Sequence, residues 1–318
     1  MAIFISEAEV ERLLDRDALI AGLRSALIDL SEGRAAQPLR SVLPFAPDGA
    51  FSASAGGADP PGLLFLKPAQ IGDALATKLI TLVPANASRS LPTLMATVLL
   101  MSPVSGEVLA IIEANTLTAL RTAAATAVAV DALAQPDAAV VAFLGSGVLA
   151  RSHAELLRRV RRVSEIRVWS RSPDNVRTCA RAIDGIVSPS AEQAVRGADI
   201  VCTLSNASKP ILMGRWLKRG AFVAAVGAPR PSWRELDDEA MRHPVIADQR
   251  EAALVESGDV VLSGCTVFAE LGEILSGRIA RPPAGETVIF KSLGLAIEDA
   301  VAARLVYEAA KTRDAPRI

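Results

Sequence analysis

One short stretch constrains this chain more than any other. Ala138–Ala150 reads AAVVAFLGSGVLA, an apolar β-run that ends in Gly145-Ser146-Gly147-Val148-Leu149-Ala150 and passes into a helix-compatible segment through Arg159. A strand that turns through glycines directly into a helix is the opening of a dinucleotide site, here with alanine in place of the last glycine of GxGxxG. Gly145 permits the tight turn, and Gly147 leaves room for a pyrophosphate against the backbone. The free N–H groups and positive dipole end of the helix favour the same anion. A second β-run, Glu165–Trp169, ends in Ser170-Arg171-Ser172. An NAD site puts Asp or Glu at this position to hold the ribose 2′-hydroxyl, whereas an arginine between serines suits a 2′-phosphate. The stretch predicts NADPH, with NADH accepted less well. An ordinary βαβ crossover with a surface arginine is the alternative on these residues alone.

From residue 138 to about 290 the pattern stays βα. Further strands are expected at Gly185–Ser188, Asp199–Leu204, Ala221–Val226, Pro244–Ala247 and Thr287–Phe290. Thr203, Val226, Gly227, Lys291 and Ser292, at the ends of the later runs, join the candidate cofactor-binding set. The first third reads differently. Ser6 to Leu30 has helical spacing, with Ser6 and Glu9 forming a capping box. Gln37 to Gly62 is turn-rich, and strands are expected at Leu63–Pro68, Ala74–Val83, Thr93–Met101 and Glu107–Glu113. The fold class is therefore α/β: a Rossmann-type doubly wound parallel sheet plus a second, α+β domain. The expected boundaries are 1–115 with 292–318 for the second domain and 116–291 for the Rossmann domain. The last helix, Gly294 to Lys311, is expected to return to the first domain.

Composition narrows the function classes. A formal net charge of −1 gives no general argument for nucleic acid or an anionic membrane as partner. The alanine-rich run Ala119–Ala134 contains Arg121 and Asp131, which fits a packed core helix better than a membrane span. Three scattered cysteines suggest neither a disulfide framework nor a metal site, and the two histidines, His153 and His243, lack ligand-spaced neighbours. No metal is expected. The start, MAIFISEAEVERLL, does not read as a secretory leader, so the chain is expected in the cytoplasm. The basic run Arg158–Arg162 reads as the solvated end of a helix.

Longer motifs carry a resemblance. TKLITLVP from Thr77, LPTLMATVLLMSPVSGEVLAIIEANTLTALRTAAA from Leu91, and FLGSGVLA from Phe143 are similar to the ornithine cyclodeaminase and mu-crystallin family. So are AVGAPRPSWRELDDE from Ala225, SGDVVLSG from Ser257, FAELGEILSG from Phe268, and FKSLGLAIEDAVAARLVYEA from Phe290. The later motifs most resemble its ketimine reductase branch. The resemblance implies a homodimer whose first domain supplies both the interface and the substrate pocket, with a nicotinamide cofactor beside it. It implies that Arg40 and Arg121 hold a substrate carboxylate, that Lys78 stands at the reacting centre, and that Thr93 lies beside the substrate.

Residue chemistry agrees with two of those roles. Arg121 interrupts an apolar run where an unpaired guanidinium would be costly, so it needs an anion, and a carboxylate fits its fork. Lys78 lies within an apolar β-run; on the core side it would be poised for proton chemistry or for polarising a substrate, and on the other side it would be an ordinary solvated lysine. One departure from the family pattern is informative. Deaminating members carry an aspartate after Gly-Ala, where this chain has Pro229 followed by Arg230. Proline cannot take a proton. Nearby Glu235, Asp237 and Asp238 read as residues that cap or solvate a helix. The expected activity is NADPH-dependent reduction of cyclic ketimines, Δ1-pyrroline-2-carboxylate to L-proline and Δ1-piperideine-2-carboxylate to L-pipecolate. The alternatives are an amino-acid dehydrogenase or ornithine/lysine cyclodeaminase, and a non-catalytic NADPH-dependent binding protein.

Overall fold

The computed structural model describes residues 2–46 and 62–312. The chain divides into two compact units. One takes Met1–Asp15, Arg34–Thr118 and Ala296–Ile318, the other Arg16–Gly33 and Ala119–Leu295.

The first unit is built on a sheet of β1 (Ile3–Ile5), β2 (Ala35–Ala36), β3 (Ser41–Phe45), β4 (Gly62–Ile71), β5 (Ala74–Leu82), β6 (Leu94–Met101) and β7 (Val108–Glu113). Its order is β1-β7-β6-β5-β4-β2, with β3 also on β4; only β1–β7 is parallel. The meander β4 to β7 follows from alternating patterns; β4 and β5 meet at a tight turn, while a 3-10 turn over Pro84–Arg89 lies between β5 and β6. On its inner face the small side chains Ala69, Ala74, Ala76 and Ala96 are buried. They let a helix lie close across β4, β5 and β6, and that helix, the last in the chain (Ala296–Lys311), turns Ala296, Ala300, Ala303 and Val306 inward. The opening helix α1 (Glu7–Leu13) has the expected capping box of Ser6 and Glu9.

The sequence expectation of one helix from Ser6 to Leu30 is corrected. Leu14 takes an extended conformation and ends α1, and α2 (Arg16–Ser31) starts anew in the other unit. The apolar face of this stretch serves two cores. Leu27 of α2 offers its carbonyl where a Cβ on Gly272 would come within 2.0 Å, and the Ser31 hydroxyl donates to Glu270 at 2.7 Å. Residues 16–33 therefore group with 119–295 and not with the rest of 1–115.

The chain enters the second unit along α3 (Asn115–Leu133). This is the one helix among the described residues long and apolar enough to cross a membrane, and 78% of its apolar window is buried inside the protein. An all-round apolar helix in that setting is a core helix. Then come β8 (Val140–Leu144), α4 (Val148–Val160), β9 (Glu165–Trp169), α5 (Pro173–Ala182), β10 (Ile186–Val187), α6 (Ala191–Val195), β11 (Ile200–Thr203) and β12 (Phe222–Ala225). The unit finishes with β13 (Val245–Ala247), α7 (Arg250–Glu256), α8 (Gly258–Ser263), β14 (Val267–Glu270), α9 (Leu271–Leu275) and β15 (Val288–Lys291), before α10, the Ala296–Lys311 helix of the first unit. All eight strands are parallel, in the order β10-β9-β8-β11-β12-β15-β13-β14. Every residue of β11, β12, β13 and β15 is buried, as in a sheet covered on both faces. The order reverses between β8 and β11, and such switch points are where open α/β sheets bind ligands.

The basic run Arg158–Arg162 is more than a solvated helix end. Arg161 donates to the carbonyls of Val130 at 2.9 Å and Asp131 at 3.1 Å, closing the C-terminus of α3, and Arg158 donates to Ile183 at 2.7 Å.

Candidate functional site

In the second unit the glycine turn lies at the switch point. Gly145 has φ +140, and a Cβ on it would meet the Leu204 carbonyl at 2.4 Å, so no larger residue fits between the ends of β8 and β11. Gly147 caps α4, and a Cβ there would meet nothing within 4 Å. That open position at a helix N-terminus fits the pyrophosphate of a dinucleotide. Val148 is exposed, Leu149 half-buried, and Ala150 buried behind the turn. Ser146 donates to Ser170 at 2.8 Å, tying the turn to the end of β9. Ser172 also serves locally: its hydroxyl accepts from the Asn175 N–H and caps α5, which leaves its own O–H to donate. Arg171, between them, is exposed.

The remaining cofactor candidates cluster on the other side of the switch. Thr203 is fully buried, and its hydroxyl donates to Glu235 at 2.7 Å. Val226 is buried beside it, and the Gly227 N–H donates to the same carboxylate at 2.8 Å. Lys291 is also buried; its Nζ donates to the Gly227 carbonyl at 2.6 Å and to Asp259 at 2.9 Å. Ser292 follows, buried, its N–H bonded to the Ala225 carbonyl at 3.0 Å.

Glu235 corrects the expectation of a helix-capping or solvated acid. It is 0% exposed, with burial pushing its carboxyl above the usual carboxylate range while the Lys291 charge and the Ser205 and Thr203 hydroxyls oppose. Asp237 does cap, accepting from the N–H groups of Gly214 and Ala240, and Asp238 is surface-exposed and paired with Arg234.

In the first unit Lys78 is on the inner face of β5, 1% exposed. Alternation puts it on the same side as Ala74 and Ala76, beneath α10. Its Nζ donates to Asp299 Oδ1 at 2.5 Å and to Thr118 Oγ1 at 3.2 Å. Directly across the ladder on β4 stands Lys67, 7% exposed, whose Nζ is 3.3 Å from Asp299 Oδ2. One carboxylate thus faces two buried ammonium groups, a charge-assisted pairing that fixes where each cation sits.

Neither Asp299 nor Lys67 was singled out from sequence. The available signal was an acid pair, Glu298-Asp299, inside the apolar run Gly294–Ala303, and a lysine within the apolar run Leu63–Pro68.

Arg40 is half-buried between β2 and β3. Gln37, three residues earlier, accepts from the Ile297 N–H at 3.0 Å and secures this segment to the first turn of α10. Thr93 is exposed just before β6, its carbonyl bonded to the Val83 N–H at 2.8 Å. In the second unit Arg121 is 5% exposed on α3. Its guanidinium lies against Gly294, where φ is +73 and a Cβ would come within 2.3 Å of Nη1, so only glycine lets it through. Asp248 pins that turn by accepting from the N–H groups of Leu293 at 2.6 Å and Gly294 at 3.0 Å.

Comparison with known proteins agrees with this architecture and these motifs. The chain is 44% identical over 315 residues to a mouse protein named ketimine reductase mu-crystallin, with 96% of each chain covered. Among solved structures, a Thermococcus litoralis Δ1-pyrroline-2-carboxylate reductase in complex with NADH and L-proline matches with TM-score 0.90 at 30% identity, covering 99% of this chain and 100% of the other. An archaeal alanine dehydrogenase dimer with bound NAD matches with TM-score 0.90 at 29% identity, covering 99% and 98%. The model of the ornithine cyclodeaminase/mu-crystallin family matches residues 2–314, and the chain belongs to that family.

Proposed function

We propose that this protein is a nicotinamide-dependent ketimine reductase that reduces the C=N bond of cyclic imino acids. Its substrates are Δ1-pyrroline-2-carboxylate, giving L-proline, and Δ1-piperideine-2-carboxylate, giving L-pipecolate. The observation that carries the reading is the buried Lys78 ammonium, held by Asp299 at 2.5 Å and Thr118 at 3.2 Å. A lysine paired in this way is held in place in a water-poor setting, where a fixed dipole or ion acts most strongly on a reacting group. An imine carbon is most electrophilic when its nitrogen is protonated, and Lys78 Nζ is the group that holds a proton for it or polarises it. Arg121 and Arg40 grip the carboxylate, and Thr93 lines the substrate. Pro229 stands where an acid serves the deaminating members, which leaves imine reduction intact and amine chemistry unsupported.

When bound, a reduced nicotinamide would supply the hydride. Its holders would be the turn Gly145–Ala150, Ser170, Arg171, Ser172, Thr203, Val226, Gly227 and Ser292, with Lys291 securing Gly227 from behind. The exposed Arg171, with no acid at its position, supports NADPH over NADH. The protein works as a homodimer in the cytoplasm.

The test is a panel. NADPH oxidation is followed with both cyclic imines, and NAD+ or NADP+ reduction and ammonia release are followed with ornithine, lysine and alanine. We expect NADPH consumption on the imines and no ammonia from ornithine. Lys78→Ala should lower kcat/KM at least about 100-fold, and Arg121→Ala should also raise KM, because it contacts the carboxylate in the ground state. Ornithine cyclisation without turnover of either imine would overturn the assignment.

A further inference from the structure

We infer that Glu235 is the positioning residue for the nicotinamide half of the cofactor site: one buried carboxylate holds the loops that leave β11 and β12 in a single arrangement. The inference rests on the reading of the second unit as a nicotinamide dinucleotide site.

Four donors converge on this side chain. Oε1 accepts from the Ser205 N–H at 2.8 Å and the Ser205 hydroxyl at 2.6 Å. Oε2 accepts from the Thr203 hydroxyl at 2.7 Å and the Gly227 N–H at 2.8 Å. Thr203 and Ser205 lie at the end of β11, and Gly227 at the end of the neighbouring β12. A carboxylate is the side chain that presents two oxygens with two acceptor positions each, and all four are used.

Glu235 is itself held. Its own N–H and that of Leu236 donate to Asp259 Oδ1 at 2.8 and 3.0 Å. Asp259 Oδ2 accepts from Lys291 at the end of β15, and Lys291 returns to the Gly227 carbonyl. The exits of β11, β12 and β15 are thereby closed into one buried ring. The backbone inside it is confined: a Cβ on Gly227 would lie 2.0 Å from the Ser205 carbonyl, and Ala228, which is not a glycine, has φ +52. Such a conformation persists where the surroundings over-determine it, and it concentrates at ligand-binding loops.

The position of the ring gives it a role. A doubly wound sheet binds a dinucleotide across the switch point, one mononucleotide half to each side. The glycine turn and Ser170–Ser172 belong to the β8–β9 side, which takes the adenosine half. The Glu235 ring belongs to the β11–β12 side, which takes the nicotinamide half. Loosening the ring should therefore cost the nicotinamide end of the ligand and spare the adenosine end.

The test compares whichever of NADPH and NADH binds tighter with its adenosine half alone, 2′,5′-ADP or ADP, by calorimetric titration. Glu235→Gln turns one acceptor oxygen into an NH2 facing a backbone N–H, that of Ser205 or of Gly227, which then has no acceptor there. It should weaken the dinucleotide about tenfold or more, the scale of an unsatisfied buried donor, and leave the fragment within about twofold. Ser205→Ala removes one of the four bonds and keeps its N–H, so it supplies the same comparison if Glu235→Gln does not fold, with a dinucleotide loss of about threefold. Equal weakening of dinucleotide and fragment, or no weakening of the dinucleotide, would overturn the inference while the cofactor reading stands. Failure of the unmodified protein to bind either dinucleotide would overturn both.

Discussion

Arg171 and His153 show how much a single side chain decides. Arg171 is exposed at the end of β9, next to serines already engaged with the glycine turn and with α5. A 2′-phosphate there would receive a charge-assisted contact from the guanidinium, worth about 2 kcal/mol. Arg171→Ala should therefore raise the dissociation constant of NADPH by about 30-fold and change that of NADH little. Equal losses for both nucleotides, measured by titration, would show that the arginine does not read the phosphate. His153 makes a pH prediction. It is fully buried on α4, with Nδ1 2.7 Å from the Leu149 carbonyl and Nε2 3.0 Å from the Thr126 hydroxyl. A carbonyl only accepts, so Nδ1 carries the proton and Nε2 accepts from Thr126. Burial lowers its pKa from 6.5 to about 4. The unfolded chain then binds a proton that the folded chain refuses between those values. The contribution of neutral His153 is complete above the unfolded pKa and is lost as pH falls towards the folded one, by roughly 3 kcal/mol in total. Melting temperature should fall more steeply between pH 6.5 and 4 for the native protein than for His153→Gln, and parallel curves would refute this.

Among the elements, α3 depends on a partner distant in sequence. Its final carbonyls accept from Arg161, whose side chain is 11% exposed and also pairs with Asp131 at 3.1 Å. Helix ends need such partners, and α3 has no basic residue of its own in the last turn. Arg161→Ala should destabilise the protein by about 1–3 kcal/mol in denaturant melts, whereas Arg162→Ala, at an exposed neighbour, should cost under about 0.5 kcal/mol. Sequence pattern located most elements because their signals are local: alternation in β5 and β6, the capping box at Ser6, glycines at the end of β8. It failed at the α1–α2 break because the 3.6-residue periodicity runs on through Leu14 while the core it faces changes. Only the packing of α2 against Gly272 reveals that change.

For the whole molecule, the outer face of the first sheet bears on assembly. Opposite the face covered by α10, the register brings Leu64, Leu66, Leu79, Met95, Leu99 and Ile111 to one side, and all six are at least partly exposed. With Thr77, Thr81 and Thr97 between them, they form a largely apolar exposed face, a candidate interaction site. It supports the proposed homodimer, in which each chain would offer the same face to its partner. Light scattering should give twice the 33.3 kDa chain mass, and Leu99→Glu should return it to the single-chain value. A monomer at working concentration in the native protein would contradict the proposal.

The sequence by itself determined the two kinds of sheet, the glycine turn at the switch point and the candidate set Arg40, Lys78, Thr93 and Arg121. Each of these is written in a run of neighbouring residues or in a family motif, and periodicity acts over a few positions. The tertiary structure alone decided which charges meet. Lys78 and Asp299 are 221 residues apart in the chain, and Thr203 and Glu235 are 32 apart. No local pattern distinguishes Glu235 from Asp238 in WRELDDE, yet one is fully buried with four donors and the other is a surface acid. The reason is physical. A buried charge must be met by partners or it is expelled, and those partners come from whichever strand ends the fold brings together.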